Sequence, residues 1–467
     1  MYLVNTPISQ VWLDVSLLLE CNTNQPTGIP RTTINIFRHW WETGYTNLRL
    51  CRLDIKQGGY FPVDPQQVLQ RFGSAPLVAE EAAGEAPEIA PPVPVHSLKS
   101  SIRSAGRALL RRLPSNMQEA LRDAVRNFRK WKSAPPSVSS VLTPVPPLQL
   151  GPSDLVVTLG GGWTQPGSSN FLAQLHKRTG YRSVHVIYDM IPLKLPQFYP
   201  KGMYPNFFDW MSGTLHSLDL AISISEHTRV DLIEFCQQHG FPVPPVEVIR
   251  LGEGISPTPA PNYPPISDSF NPREPFVMTV GTLEIRKNHH LIYHVWRRLV
   301  DELGEAAPRL VVIGSPGWLA EEVLHLLRTD PLTRDRVTII PTCDDAQLRW
   351  LYQHCLFTVY PSHYEGWGLP IAESLAFGKY CICSNTSSMP EIARDLVSLQ
   401  DPGDVPGWLT AIKQTLEPGF LPAQEKRIRR DFRRTSWADT ARQFAGILNN
   451  HFGSALQLPH RTTSRSA

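Results

Sequence analysis

The sequence predicts an α/β protein of two doubly wound parallel-sheet domains facing across a cleft, and three observations carry that expectation. Its 467 residues exceed what one ordinary hydrophobic core organises and suit two domains with linker to spare. Short apolar runs alternate with helix-length segments in both halves, the pattern of parallel strands covered by helices on both faces. A proline-rich passage, SPTPAPNYPPISDSFNPREP, divides the halves at residues 256–275.

The first strand is VWLDVSL (11–17), followed by a polar loop in which Gly28 and Pro30 open a helix with Ile34, Phe37 and Trp41 on one face. From about residue 74 to 152 the composition turns Pro-, Ala- and Ser-rich around a basic stretch, which reads as an insertion. Strands resume with DLVVTLG (154–160), SVHVIYD (183–189), LDLAISIS (218–225) and PVEVIRLG (245–252), with a helix over 226–239. Residues 1–255 are thus the expected first domain and 256–274 the linker. The second domain, 275–450, repeats the grammar with FVMTVG (276–281), RLVVIGS (309–315), RVTIIPT (336–342), CLFTVYPS (355–362) and YCICSN (380–385). Its helices begin near 288, 317, 344 and 370, and residues 451–467 are expected to be a flexible tail. Ligands of such sheets bind beyond the carboxyl ends of the strands, so the loops after 281, 315, 342, 362 and 385 line one crevice.

Composition excludes several classes. A formal charge of +3 gives no support to a nucleic-acid partner. Seven scattered cysteines lack the spacing of a zinc site or a disulfide framework and favour a reducing cytoplasm; Cys381 and Cys383 alternate onto one face of a strand as buried thiols. The N-terminus lacks a basic start followed by an apolar core, and no window approaches the ~18 apolar residues of a membrane span. The expected location is the cytoplasm.

The stretch YPSHYEGWGLPIAESLAFGK (360–379) sets Glu365 and Glu373 around a glycine-bearing loop that is otherwise nearly free of charge. Gly366 and Gly368 permit positive φ and close approach of backbone to a ligand. Pro370 suits a first helical turn, which places Glu373 near a helix N-terminus, where backbone N–H groups and the dipole favour phosphate. Acceptor-only carboxylates beside a phosphate site suit hydroxyl pairs, and a sugar nucleotide carries hydroxyls on both sides of a diphosphate. Taken alone, Glu373 is equally the acid that a helix start favours. In GTLEIRKNHH, Arg286 and Lys287 precede Asn288, a credible N-cap. Two cations at a helix start oppose its dipole, so an anion is expected there. Alone, that pair reads as a solvated loop.

GTLEIRKN followed about eighty residues later by PSHYEGWGLPIAESLAFG resembles the donor-binding core of retaining glycosyltransferase family 4, within the glycosyl transferases group 1. The likeness covers most of 275–450, and more loosely 11–45 and 183–252. It implies the GT-B architecture, two Rossmann-like domains with the acceptor side in the first and the nucleotide-sugar donor in the second. By that resemblance Lys287 and Arg286 bind the donor diphosphate, Glu373 holds the ribose hydroxyls, and Glu365 faces the transferred sugar. Gly366, Trp367, Gly368 and Leu369 supply backbone N–H groups, Thr282 lies on the donor loop, and Gly28 belongs to the opposite wall. Many relatives carry His-Asp where this chain has Tyr188-Asp189; Asp189 can still face the sugar or an acceptor hydroxyl, and is otherwise a turn residue.

The implied reaction moves a hexose from the nucleotide sugar to a hydroxyl of a glycan or lipid-linked oligosaccharide with retention and without a metal, since Lys287, Arg286 and helix dipoles can take the leaving charge. No cofactor is expected, and the chain has no Asp-x-Asp motif. Three alternatives stay open: a glycoside hydrolase using Glu365 and Glu373, a catalytically idle sugar-nucleotide-binding subunit, and a sugar-nucleotide epimerase. The donor base and sugar carry no code in the loops SPGW and TCDD. In the insertion, residues 97–134 hold ten Lys and Arg against Glu119 and Asp123, with Met117, Leu121, Val125, Phe128 and Trp131 at helical spacing. Such a helix either packs on the first domain or lies on an anionic membrane at the inner face of the cell, as a peripheral contact.

Overall fold

The computed structural model describes residues 6–21, 28–72, 146–255, 266 and 270–459. The basic stretch 97–134 and nearly all of the insertion expected at 74–152 lie outside the described residues.

Two doubly wound domains are present, as the alternation of strands and helices predicts. The first sheet comprises β1 (Gln10–Asp14), β2 (Leu48–Asp54), β3 (Gly59–Val63), β4 (Asp154–Thr158), β5 (Arg182–Ile187), β6 (Leu220–Ser223) and β7 (Val246–Val248) in the order β3-β2-β1-β4-β5-β6-β7. The second comprises β8 (Phe276–Val280), β9 (Arg309–Ile313), β10 (Val337–Ile340), β11 (Thr358–Tyr360), β12 (Cys381–Ser384) and β13 (Ser398–Gln400) in the order β10-β9-β8-β11-β12-β13. Every pairing is parallel except β2 with β3. Among the described residues, the helices of eight or more residues are α1 (Gly28–Thr43), α2 (Pro65–Phe72), α3 (Ser168–Thr179), α4 (Met203–Leu215), α5 (Glu226–His239), α6 (His289–Leu303), α7 (Glu321–Thr329), α8 (Asp345–His354), α9 (Leu369–Ala376), α10 (Val405–Thr415), α11 (Phe420–Asp431) and α12 (Trp437–Phe452).

Burial follows the pattern that parallel strands require. Phe276 to Thr279 and Cys381 to Ser384 are buried without interruption, because helices cover both faces. Each sheet reverses its order of growth once, between β1 and β4 and between β8 and β11. The loops that follow β8 and β11 are therefore neighbours at a switch point, where such sheets take ligands.

Three local expectations change. The antiparallel pair β2–β3, turned through Gly58 at φ 84°, extends the first sheet past the strands read from sequence; its strands are short and their buried positions do not alternate cleanly. The helix expected from 317 begins at Glu321, after a loop in which Leu319 has positive φ. The boundary at 450 also fails. Helix α12 returns to the first domain, where Ala441 O accepts from Trp40 Nε1 at 2.8 Å and the Trp40 and Phe444 rings lie 5.3 Å apart. Past it, Ala455 and Leu456 are buried and Asn47 Nδ2 donates to Ala455 O at 2.7 Å, so the tail is fastened at least to Gln457. The cause is the apolar face of α12, with Phe444 and Leu448 fully buried, which needs the matching face of α1. Among the described residues, no helix is long and apolar enough to cross a membrane.

Candidate functional site

The loop after β8 is shaped by close backbone contact. Gly281 has φ 151°, and a Cβ at Gly314 would lie 2.0 Å from Gly281 O, so the turns after β8 and β9 pack main chain to main chain. A single 3-10 turn, Ile285–Lys287, then presents both cations inward. Asn288 is not the side-chain cap expected of it. It adopts φ 57°, ψ 41° rather than extended backbone, and its amide donates to Pro361 O (3.1 Å) and Pro402 O (2.8 Å), tying this loop to those after β11 and β13.

Lys287 Nζ lies 2.7 Å from Glu365 Oε1 and 2.7 Å from Tyr360 Oη. Arg286 Nη1 lies 2.8 Å from Glu365 Oε2 and 2.6 Å from Tyr364 O, while Nη2 meets Glu284 Oε1 at 2.6 Å. All four charged side chains are nearly buried, with 14% or less exposed. The two cations are therefore already matched by two carboxylates. Left unpaired at this burial, each would cost several kcal/mol. Burial alone would push the Glu365 carboxyl up; Arg286 and Lys287 outweigh it and hold its pKa at about 2. Burial pulls Lys287 below its ordinary value despite Glu365. The main chain at Glu365 is pinned as well: its N–H donates to Ser387 Oγ at 2.9 Å, and Ser388 Oγ donates to its carbonyl at 2.9 Å.

Helix α9 starts after Gly368 (φ 121°), with Pro370 in its first turn, and buries Ile371 through Leu375. Glu373 is thus inside the domain, 6% exposed, accepting from Tyr352 Oη at 3.0 Å. Across from it stands Arg31 of α1, whose Nη2 donates to Gly254 O (2.5 Å) and Asp345 Oδ2 (2.9 Å). A Cβ on Gly254 would lie 2.5 Å from Glu373 Oε1, so the connector between the domains runs against this carboxylate. Burial raises the Glu373 pKa to about 7, with Arg31 and the Tyr352 hydroxyl opposing.

A carboxyl raised from 4.5 to about 7 works against folding as pH climbs through that range, and its cost is complete above it. Glu373→Gln is therefore expected to unfold at higher temperature than the wild type at about pH 8, by the equivalent of at most about 3 kcal/mol. The gap should close on acidification, and thermal melts at a series of pH values check it. A destabilised variant at about pH 8 would contradict this reading of the site.

The first domain supplies the facing wall. Asp189 follows β5, and its Oδ1 accepts from Ile191 N at 3.0 Å, the turn role that its sequence context allows. Burial raises its pKa; Arg286 opposes, and the Glu365 charge also reaches it. Gly366 packs directly on this turn: a Cβ there would lie 2.1 Å from Tyr188 O and 3.1 Å from Asp189 Cβ. Lys287, Arg286, Glu365, Gly366 and Asp189 are thus brought together, with Glu373 on the helix leaving the same loop. Thr282 is exposed on the loop after β8, beside Gly317. Trp367 is buried under the Arg250 guanidinium, 5.5 Å from its ring, and Leu369 is the first residue of α9. Gly28 opens α1 with φ 59° and open space around it, and no described contact joins it to the carboxylates.

Sequence reasoning passed over Arg31, Glu284, Tyr360, Tyr352 and Asp345. Arg31 carried a readable signal, a cation in the first turn of a helix, the same feature that marks Arg286 and Lys287. Asp344 and Asp345 of TCDD have separate uses: Asp344 caps α8 in a box with Gln347, and Asp345 pairs with Arg31.

Residues 266–432 match the family model for glycosyl transferases group 1. O-antigen chain mannosyltransferase B of Escherichia coli is 27% identical over 236 residues, covering 50% of this chain and 61% of that protein. The serotype-specific mannosyltransferase WbdA of Escherichia coli is 24% identical over 271 residues, covering 56% of this chain and 32% of that protein. The chain thus spans less than two thirds of the length of either relative. Among solved structures, sucrose-phosphate synthase from Thermosynechococcus elongatus superposes with a TM-score of 0.56 at 16% identity, over 95% of this chain and 99% of that one. Anabaena HepE, solved in complex with UDP and glucose, gives 0.55 at 13% identity, over 94% and 99%. These likenesses show the fold, two facing doubly wound domains in the GT-B arrangement.

Proposed function

We propose that this chain, whose residues 266–432 match the glycosyl transferases group 1 model and whose fold is the GT-B arrangement, moves a sugar from a nucleotide-sugar donor to a hydroxyl of a glycan or lipid-linked saccharide, with retention and without a metal ion. The observation that carries this is the pairing of Lys287 and Arg286 with Glu365 at the switch point of the second sheet, with Glu373 on the adjoining helix. Departure of a nucleoside diphosphate places growing negative charge on its β-phosphate. Lys287 and Arg286 answer it by shifting from Glu365 towards the phosphate, and Glu365, freed in part, faces the cationic sugar ring.

On this reading the acceptor hydroxyl passes its proton to the departing phosphate on the same face of the sugar. Glu373 takes the ribose hydroxyls, and Asp189 contacts the sugar or acceptor from the opposite wall. The mannosyltransferase relatives make nucleotide-activated mannose the first donor to test. One competing reading makes Glu365 and Glu373 the carboxylate pair of a glycoside hydrolase. Hydrolysis of a neutral glycoside without any nucleotide would bear that out.

Screening UDP-, GDP- and ADP-sugars for thermal stabilisation tests the donor assignment: a true donor at 100 times its dissociation constant adds ~2.7 kcal/mol. No stabilisation by any of them would sink it. Turnover is expected to survive a chelator within about twofold, because on this reading Lys287 and Arg286 take the leaving charge in place of a metal ion. Activity that vanishes with chelation and returns with magnesium or manganese would overturn metal independence.

A further inference from the structure

Tyr364 directly precedes Glu365 and is held at both ends. Its carbonyl accepts from Arg286 Nη1 at 2.6 Å. Its hydroxyl crosses to the first domain, 2.7 Å from Asp231 Oδ2 and 2.6 Å from His227 Nε2, both on α5. Burial, and then Asp231, push the hydroxyl's pKa far above its ordinary value, so it keeps its proton. It therefore donates to Asp231 and accepts from His227 Nε2–H. Asp231 is 3% exposed, and its other oxygen is taken by Lys194 Nζ, which also reaches Glu234 at 3.3 Å.

The same turn of α5 meets the second domain twice more. Glu391, in the short helix Met389–Ala393, accepts from the backbone N–H groups of Glu226 (2.9 Å) and His227 (2.8 Å). Gly366 leaves no room for a Cβ against Tyr188 O. The Tyr364 side chain is thus the side-chain link from this interdomain contact to the Glu365 and Arg286 pair, beside the main-chain approach of Gly366 and the bonds of Glu391.

We infer that Tyr364 is a positioning residue: its hydroxyl, anchored on Asp231 and His227 of the first domain, sets the placement of Glu365 and Arg286 in the second. The inference rests on the transferase reading above. Its logic is geometric, because the loop keeps its bonds to Ser387, Ser388 and Arg286 when the hydroxyl is lost, while its own side-chain tether to Asp231 and His227 goes. Misplacement of a reacting group by ~1 Å costs ~10²-fold in rate.

The test uses the full chain and the nucleotide sugar that stabilises it, following release of nucleoside diphosphate, with UDP, GDP and ADP as binding probes. Tyr364→Phe is expected to lower kcat about tenfold or more while the donor KM and the dissociation constant of the nucleoside diphosphate stay within about threefold. Combined with Asp231→Asn, it should lose little beyond the larger single loss, because both changes cut one link. An unchanged kcat in Tyr364→Phe, or losses that multiply in the double variant, overturns the inference. Should Tyr364→Phe fail to fold, Asp231→Asn alone carries the same split between kcat and KM, and an unchanged kcat there overturns it equally. A wild-type chain that binds no UDP, GDP or ADP and turns over no nucleotide sugar removes the transferase reading itself, an outcome distinct from active wild type with fully active Tyr364→Phe.

Discussion

Lys287→Ala is expected to lower nucleotide-sugar turnover by about 10²–10³-fold or more, the usual effect of removing one preorganised donor from a site of developing negative charge. It should also cost stability. The ammonium is 2.7 Å from both Glu365 Oε1 and Tyr360 Oη, and removing one member of a buried ion pair costs about 3–5 kcal/mol. The pH dependence follows with a definite sign. Glu365 ordinarily titrates at 4.5 and is held at about 2, so the stability it contributes is complete above 4.5 and lost as pH falls towards 2. Without Lys287 the held value rises towards the ordinary one, so acid unfolding should begin at higher pH in Lys287→Ala. Denaturant melts over a pH series, read beside initial rates, check both. A variant with wild-type turnover would remove Lys287 from the mechanism.

Gly366→Ala is expected to reduce turnover about 10²-fold for a different reason. Its Cβ would lie 2.1 Å from Tyr188 O, so the domains cannot keep their present approach. The contact lies in the loops that follow β5 and β11 rather than within a strand, so both sheets should stay folded. The expected result is a well-folded variant with low kcat and a larger radius of gyration by small-angle scattering. Full activity would show that the approach of Gly366 to the Tyr188–Asp189 turn is unnecessary for catalysis.

The parts of the site legible in the sequence were those whose chemistry is local. Glu365, Gly366, Gly368 and Glu373 lie within one strand-loop-helix unit, and Arg286 and Lys287 in another, so spacing and helix-end electrostatics placed them together. What escaped was pairing over long separations. Arg31 meets Asp345 across 314 positions, and Trp40 meets Ala441 across 401. No periodicity within a segment reports such contacts. Charge balance is hidden for a related reason: helix-end electrostatics ask for an external anion, whereas Glu284 and Glu365 neutralise the two cations at hydrogen-bond distance. Most strands of both sheets follow from apolar runs, but the β2–β3 pair, whose polar residues interrupt its alternation, carries no comparable signal.

A neutralised site sets a definite expectation for the bound state. On the proposed reading a diphosphate brings more negative charge than the closed quartet can accept, so Lys287 and Arg286 leave Glu365 in part, and Arg31 is a further cation on the facing domain. The most direct measurement is a crystal structure of the full chain with the nucleoside diphosphate of its stabilising donor. The proposed mechanism predicts the β-phosphate within hydrogen-bond distance of Lys287 Nζ and Arg286, with the ribose hydroxyls on the Glu373 carboxylate. A nucleotide bound with its ribose away from Glu373 and its phosphates away from Lys287 and Arg286 would contradict it.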